Sequence, residues 1–427
     1  MRSGRWWHSR PVKVRVLVSV LFILPIGLAI TSPRAHASGL SIRVVGNHLV
    51  DGAGQTVRLI GSTRPGSVYT CKSNGYFTEG PWDQAAVDAM ASWHFNAVRI
   101  PLNEDCWLGI NGLPIAGGDL HGSAALYRAD VHEFVAEIER DGMYPILDNR
   151  DAAPGTQQPI LTAEMPDADH APTFMASLAA SFSGDPAVIF DLYNEPNHIP
   201  GTSQQQMACV RDGCAITDPQ MGTYQSAGEQ SLLDAVRGAG ATQVVLESAP
   251  TYASDFRYWL QYTLNDPLGQ VAASAHPYQA QYWLNTPAEW DAYLGPVLQR
   301  HPVVATELGE RGCGYTYTDS FMSWADLHGV SYMPFGWIVW GGCDVSLISD
   351  YSGTPTSYGI GVRDHIAALF QWGPVAKNRV NNRGGTQWHT FVLVLNPLTY
   401  AEPLSAVLMD RLLDRASVSL NRWMRAR

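Results

Sequence analysis

Between residues 38 and 372, apolar runs of strand length recur eight times, and longer segments of helical periodicity separate most of them. The strand candidates are 56–61, 96–101, 144–148, 188–193, 243–247, 271–276, 303–307 and 330–337; helical segments fit at 83–93, 130–141, 173–182, 224–238, 287–299 and 320–328. The strand runs are rich in Val, Ile and Leu without clean alternation, as a parallel sheet covered on its outer face requires. Eight such units in about 335 residues predict a (β/α)8 barrel, an α/β fold. An open doubly wound nucleotide fold is disfavoured, because no G-x-G-x-x-G follows the first strand and no G-x-x-x-x-G-K-[ST] occurs. Ahead of the barrel, residues 42–59 alternate apolar and polar around Gly46-Asn47 and Asp51-Gly52, which predicts a short hairpin closing the barrel bottom.

Charge divides the chain in three. Of the net −11, residues 1–37 carry six basic groups and no acid, residues 373–427 carry eight basic and three acidic, and −22 remains on 38–372. A middle segment so acidic, with Lys72 its one lysine, excludes a nucleic-acid surface, which needs clustered Lys and Arg. Arg2 to Arg15 followed by an apolar run to Ile30 and by Ala35-His36-Ala37 predicts a cleaved secretory signal over 1–37. The apolar run is shorter than the roughly 20 residues that span a bilayer, so a secreted, extracellular protein without a membrane span is expected, with monomer as the default state. Residues 373–427 have no slot in the barrel and are expected to be an extension of unknown role, disordered or weakly helical. Six cysteines fit an oxidising destination and admit fifteen pairings. Spacing favours Cys209–Cys214 as a local staple, with Cys71–Cys106 and Cys313–Cys343 expected for the rest.

Barrel chemistry belongs at the C-terminal ends of the strands. The fourth candidate closes on Tyr193-Asn194-Glu195-Pro196 and the seventh on Ala305-Thr306-Glu307; the second ends near Arg99, the sixth runs into His276-Pro277-Tyr278, and Trp337 and Trp340 follow the eighth. Two glutamates at separate strand ends point to the paired carboxylates of glycoside hydrolysis. A Ser-His-Asp hydrolase using His276 and Asp191 is set aside because no G-x-S-x-G elbow accompanies them. No H-E-x-x-H or C-x-x-C spacing suggests a metal for the chemistry, and no cofactor is expected.

The passages 96–107, 188–196, 302–310 and 347–351 together resemble glycoside hydrolase family 5, the cellulase-type retaining (β/α)8 hydrolases, over about residues 57–370. The resemblance implies Glu195 as general acid/base and Glu307 as nucleophile. It further implies Asn194 on the sugar 2-hydroxyl, Arg99 supporting the nucleophile, Tyr278 hydrogen-bonded to Glu307, and His276 near the acid/base. Trp337 would be the platform under the sugar, with Trp340 second. The substrate class implied is a β-1,4-linked, glucan-type polysaccharide. The family's usual histidine after strand three is Arg150 here, and its Asn after the platform Trp is Ile338. Arginine is longer, permanently charged and donor-only; a sugar-binding pseudoenzyme of the same fold is therefore the alternative. Glu104, Asp105 and Glu310 are candidates for supporting the site or for loop acids, and Trp107 and Tyr69 for outer sugar contacts or core.

Overall fold

In the computed structural model, eight parallel strands pair in chain order: β1 Gly61–Thr63, β2 Ala97–Asn103, β3 Tyr144–Asp151, β4 Ile189–Asp191, β5 Val245–Glu247, β6 Val271–Ser274, β7 Val303–Leu308 and β8 Ser331–Pro334. Residues 39–371 are described, except 160–162 and 281–282. The expected export signal and C-terminal extension lie outside the described residues. Ile60 bridges Tyr332 in parallel, the Tyr332 N–H donates to the Leu59 carbonyl at 2.8 Å and the Trp337 N–H to that of Thr63 at 2.8 Å, so the last strand meets the first. Every β-strand residue of this sheet is buried except half-buried Arg150. Both faces are covered, which is why the runs show no polar alternation.

Seven outer helices follow strands: α1 Gln84–Ala91, α2 Ala124–Arg140, α3 Ala171–Phe182, α4 Glu229–Gly238, α5 Pro287–Tyr293, α6 Thr316–His328 and α7 Ser357–Gln371. Side chains cap several of them. Asp83 accepts from the Ala86 N–H, Ser123 from that of Leu126, and Thr286 with Glu289 forms a capping box. Between β5 and β6 the chain makes only the single turns Pro250–Ala253 and Trp259–Tyr262, with Trp259 fully buried.

The first strand differs from expectation. Thr56–Val57 pairs antiparallel with His48–Asp51, and the barrel strand begins only at Gly61. There β1 runs so close to β2 that a Cβ on Gly61 would lie 1.8 Å from the Ala97 carbonyl oxygen. Tyr224, expected in a helix, lies instead in a hairpin of Ala215–Asp218 and Gly222–Gln225, where its hydroxyl donates to the Met165 carbonyl at 2.8 Å. Helix α4 starts five residues later.

The strands Ile42–Val45 and His48–Asp51 form the hairpin expected at the N-terminus, and Thr56–Val57 adds a third strand. Ile42, Val44 and Leu49 pack against the inward residues Ala97, Ile146, Ile189, Leu246, Val304 and Met333. This sheet seals one end of the barrel with apolar contacts. Disulfides join Cys71–Cys106, Cys209–Cys214 and Cys313–Cys343, the three expected pairs.

Candidate active site

Side chains two residues apart on a strand share a face, so the inward apolar layer dictates what stands above it. Ala97 is followed by Arg99, Ile146 by Asp148, Ile189 by Asp191, Ala272 by Ser274 and Val304 by Thr306. The apolar floor thus gives way to a buried polar layer. Glu307 has the wrong parity for a regular strand. The pairing of β7 with β8 steps from Ala305–Tyr332 to Leu308–Pro334, one extra residue on β7, and this bulge turns Glu307 inward beside Thr306. A second shift, from Leu102–Asn149 to Asn103–Asp151, falls at Arg150 on β3.

Arg99 is fully buried and organises the layer. It donates to Asp191 Oδ2 at 2.9 Å, Glu307 Oε1 at 2.7 Å and Asn194 Oδ1 at 2.9 Å, and it lies 3.0 Å from Asp148 Oδ1. Arg150 donates to the same two acceptors, Asn194 Oδ1 at 2.9 Å and Glu307 Oε1 at 2.7 Å. The Tyr278 hydroxyl donates to Glu307 Oε2 at 2.9 Å. His276 Nδ1 lies 2.9 Å from Glu195 Oε1, and its Nε2 is 3.0 Å from the Thr306 hydroxyl, itself 2.6 Å from that of Ser274. Ser274 and Thr306 therefore fix the imidazole that faces Glu195.

The two glutamates have unlike surroundings. Burial alone would raise the Glu307 pKa, but Arg150, His276, Arg99 and the Tyr278 hydroxyl outweigh it and hold this carboxyl down at about 2. Glu195 forms no hydrogen bond with either arginine and feels Arg150 only at longer range, and its side chain keeps 16% exposure against 3% for Glu307. Burial pushes Asp148 well above the usual carboxylate range despite Arg99. With its carbonyl oxygen held by two guanidiniums, Asn194 presents a buried side-chain NH2 without a protein partner.

Of the residues expected in the site, Arg99, Arg150, Asn194, Glu195, His276, Tyr278 and Glu307 converge here. Trp337 does not. It is 1% exposed and packs edge-on against Trp93 at 5.0 Å and Phe95 at 5.8 Å, so its ring belongs to the core and has no face open to a sugar. Trp340 is 54% exposed and lies 5.8 Å from the Phe335 ring just after β8. Ile338, Trp107, Glu104 and Asp105 are fully buried, whereas Tyr69 is half-buried. Glu310 accepts from the N–H groups of Tyr317 and Thr318 and thus caps the first turn of α6. Sequence reasoning gave no role to Asp148, Ser274 or Thr306, although their polarity within apolar strand runs was the available signal. Asp191, considered as a partner for His276, serves Arg99 instead.

A (β/α)8 barrel closed at one end and carrying two unlike carboxylates at the other has the build of a glycoside hydrolase. The family model of cellulase, glycosyl hydrolase family 5, matches residues 50–342, and the chain belongs to that family. Its fold is shared by a β-glucanase from Saccharophagus degradans, solved also with cellotetraose; the native form gives a TM-score of 0.58 at 20% identity, covering 77% of this chain and 94% of that one. The catalytic domain of the major endoglucanase from Xanthomonas campestris pv. campestris gives 0.56 at 16% identity, covering 76% and 100%. A β-mannanase from Streptomyces thermolilacinus gives 0.54 at 18%, covering 77% and 97%. No curated protein matches the chain in a sequence search. No helix among the described residues is long and apolar enough to cross a membrane.

Proposed function

We propose that this chain is a secreted hydrolase of β-1,4-linked, glucan-type polysaccharides, endoglucanase-like in action, that works by retaining double displacement. One observation carries the reading: an oxygen of Glu195 and an oxygen of Glu307 lie within 4.8 Å, in the surroundings of unequal charge described above. That spacing suits the roughly 5–5.5 Å carboxyl gap of retaining enzymes better than the roughly 6.5–9.5 Å that an inverting enzyme needs to admit water. Glu307, held ionised, attacks the anomeric carbon. Glu195 protonates the leaving oxygen and then, as a carboxylate beside His276, takes a proton from the water that displaces Glu307 from the sugar, which restores the acid and frees the nucleophile. The free NH2 of Asn194 donates to the oxygen of the sugar 2-hydroxyl, and Trp340 offers an exposed ring at the rim. Residues 1–37 are removed on export, 38–372 form the catalytic unit, and 373–427 are an appendage; three disulfides fit that destination.

Hydrolysis of carboxymethylcellulose, mixed-linkage β-glucan and mannan by the mature protein tests this. Product from a glucan is expected, and Glu307→Ala abolishes it. Glu195→Ala costs about 10²–10⁴-fold on polysaccharide, and much less on an aryl glycoside whose leaving group needs no proton. A second reading rests on Arg150: with both guanidiniums on Oε1 and Tyr278 on Oε2, the nucleophile has no unengaged oxygen, as in a sugar-binding protein that has lost turnover. Binding without product from any of the three polymers would establish that reading.

A further inference from the structure

Away from the paired glutamates, a second cluster of ligating side chains stands on the loops after β2 and β3. Glu104 opens the short helix Glu104–Leu108, which the Cys71–Cys106 disulfide anchors, while Asp167 and His170 lie just ahead of α3. Each contributes one ligand atom, and the three atoms lie within 4.8 Å of one another. His170 Nδ1 is 3.4 Å from Asp167 Oδ1, 3.7 Å from Glu104 Oε1 and 3.2 Å from the Ala153 carbonyl oxygen. Two backbone N–H groups, of Asp169 and His170, already occupy Asp167 Oδ1 at 3.0 and 2.8 Å. Asp167 Oδ2 and both carboxylate oxygens of Glu104 find no donor at full hydrogen-bond geometry, although the two carboxyl groups stand close enough to share a proton and the Ala153 N–H is directed at Glu104; Glu104 is 0% and Asp167 1% exposed. Two buried carboxyl groups held this close are costly unless a proton or a cation lies between them, and the imidazole nitrogen stands within 4 Å of both side chains.

We propose that Glu104, Asp167 and His170 bind a structural divalent cation. Two carboxylates neutralise a dication, and the imidazole nitrogen selects a borderline ion such as Zn²⁺ or Mn²⁺ over Ca²⁺, which takes oxygen ligands throughout. The Ala153 carbonyl is placed to complete the set. The ion ties the connection between β3 and α3 to the end of β2. Because that connection leaves β3 at Asp151, next to Arg150, the ion also stiffens the approach to the candidate catalytic site without taking part in the reaction.

The test uses the mature full chain, stripped with EDTA and supplied with Zn²⁺, Mn²⁺ or Ca²⁺. Elemental analysis after gel filtration is expected to find one equivalent of Zn²⁺ or Mn²⁺, and saturating ion is expected to raise Tm by several degrees, since a ligand bound only to the folded state stabilises it. The double variant Glu104→Gln, Asp167→Asn is expected to lose both effects. An unaltered chain that retains no ion and shows no shift would overturn the proposal without recourse to any variant, leaving a carboxyl pair that shares a proton. Retention of the ion in the double variant with loss in Glu307→Gln would also overturn it, by placing the ion between the paired glutamates. Preferential binding of Ca²⁺ over both other ions would overturn the assigned class.

Discussion

Glu307 owes its charge to Arg150 more than to any other cation, and Arg150 is the residue in which this chain departs from its family's usual histidine. A carboxyl held at about 2 keeps a nucleophile ionised through the whole range above that value, and its contribution to stability is lost only as pH falls through it. Replacing the guanidinium by an apolar chain in Arg150→Met lets the Glu307 pKa climb. The acid limb of the kcat/KM profile is then expected to move upward by about one unit or more, read from pH–rate profiles of the two proteins. Most of the site's charged members were legible in the sequence because each interrupts an apolar strand run near its C-terminal end. The choice of tryptophan was not. Trp337 and Trp340 follow the same strand, and which ring faces the core depends on backbone turns after β8 that no periodicity encodes.

At the scale of elements, helices α6 and α7 are joined by His365, whose Nδ1 lies 2.8 Å from Asp319 and whose Nε2 lies 3.0 Å from Asp326. Burial lowers its pKa, but the two carboxylates prevail and raise it to about 9. A raised folded value contributes stability that is complete below the unfolded pKa, near 6.5, and is lost as pH rises through about 9. Discounted for the half-exposed Asp319, the contribution is about 1–2 kcal/mol. His365→Gln is expected to lower Tm at pH 6 and to bring it close to the unaltered protein's by pH 10, as thermal melts across that range would show. Strand and helix alternation was legible because barrel strands are buried on both faces. Elements set by tertiary contact were not: the start of β1 is fixed by its approach to Ala97, and the strand around Tyr224 by a hydroxyl reaching Met165.

For the whole molecule, one end of the barrel is an apolar seal and the other a charged site. The hairpin seal was expected from alternation around Gly46-Asn47, and it is held largely by side chains such as Leu49, which is 3% exposed. Leu49→Ala is expected to cost about 2–5 kcal/mol in urea unfolding while leaving kcat within a few-fold, because the cavity opens far from the catalytic carboxylates. The −22 on residues 38–372 keeps polyanions away and leaves neutral polysaccharides unopposed. The central claim, displacement by Glu307 with Glu195 as acid/base, fixes the stereochemistry of the first product. Following hydrolysis of cellotetraose by proton NMR before mutarotation, the β-anomer should appear first. First appearance of the α-anomer would show inversion and contradict this account.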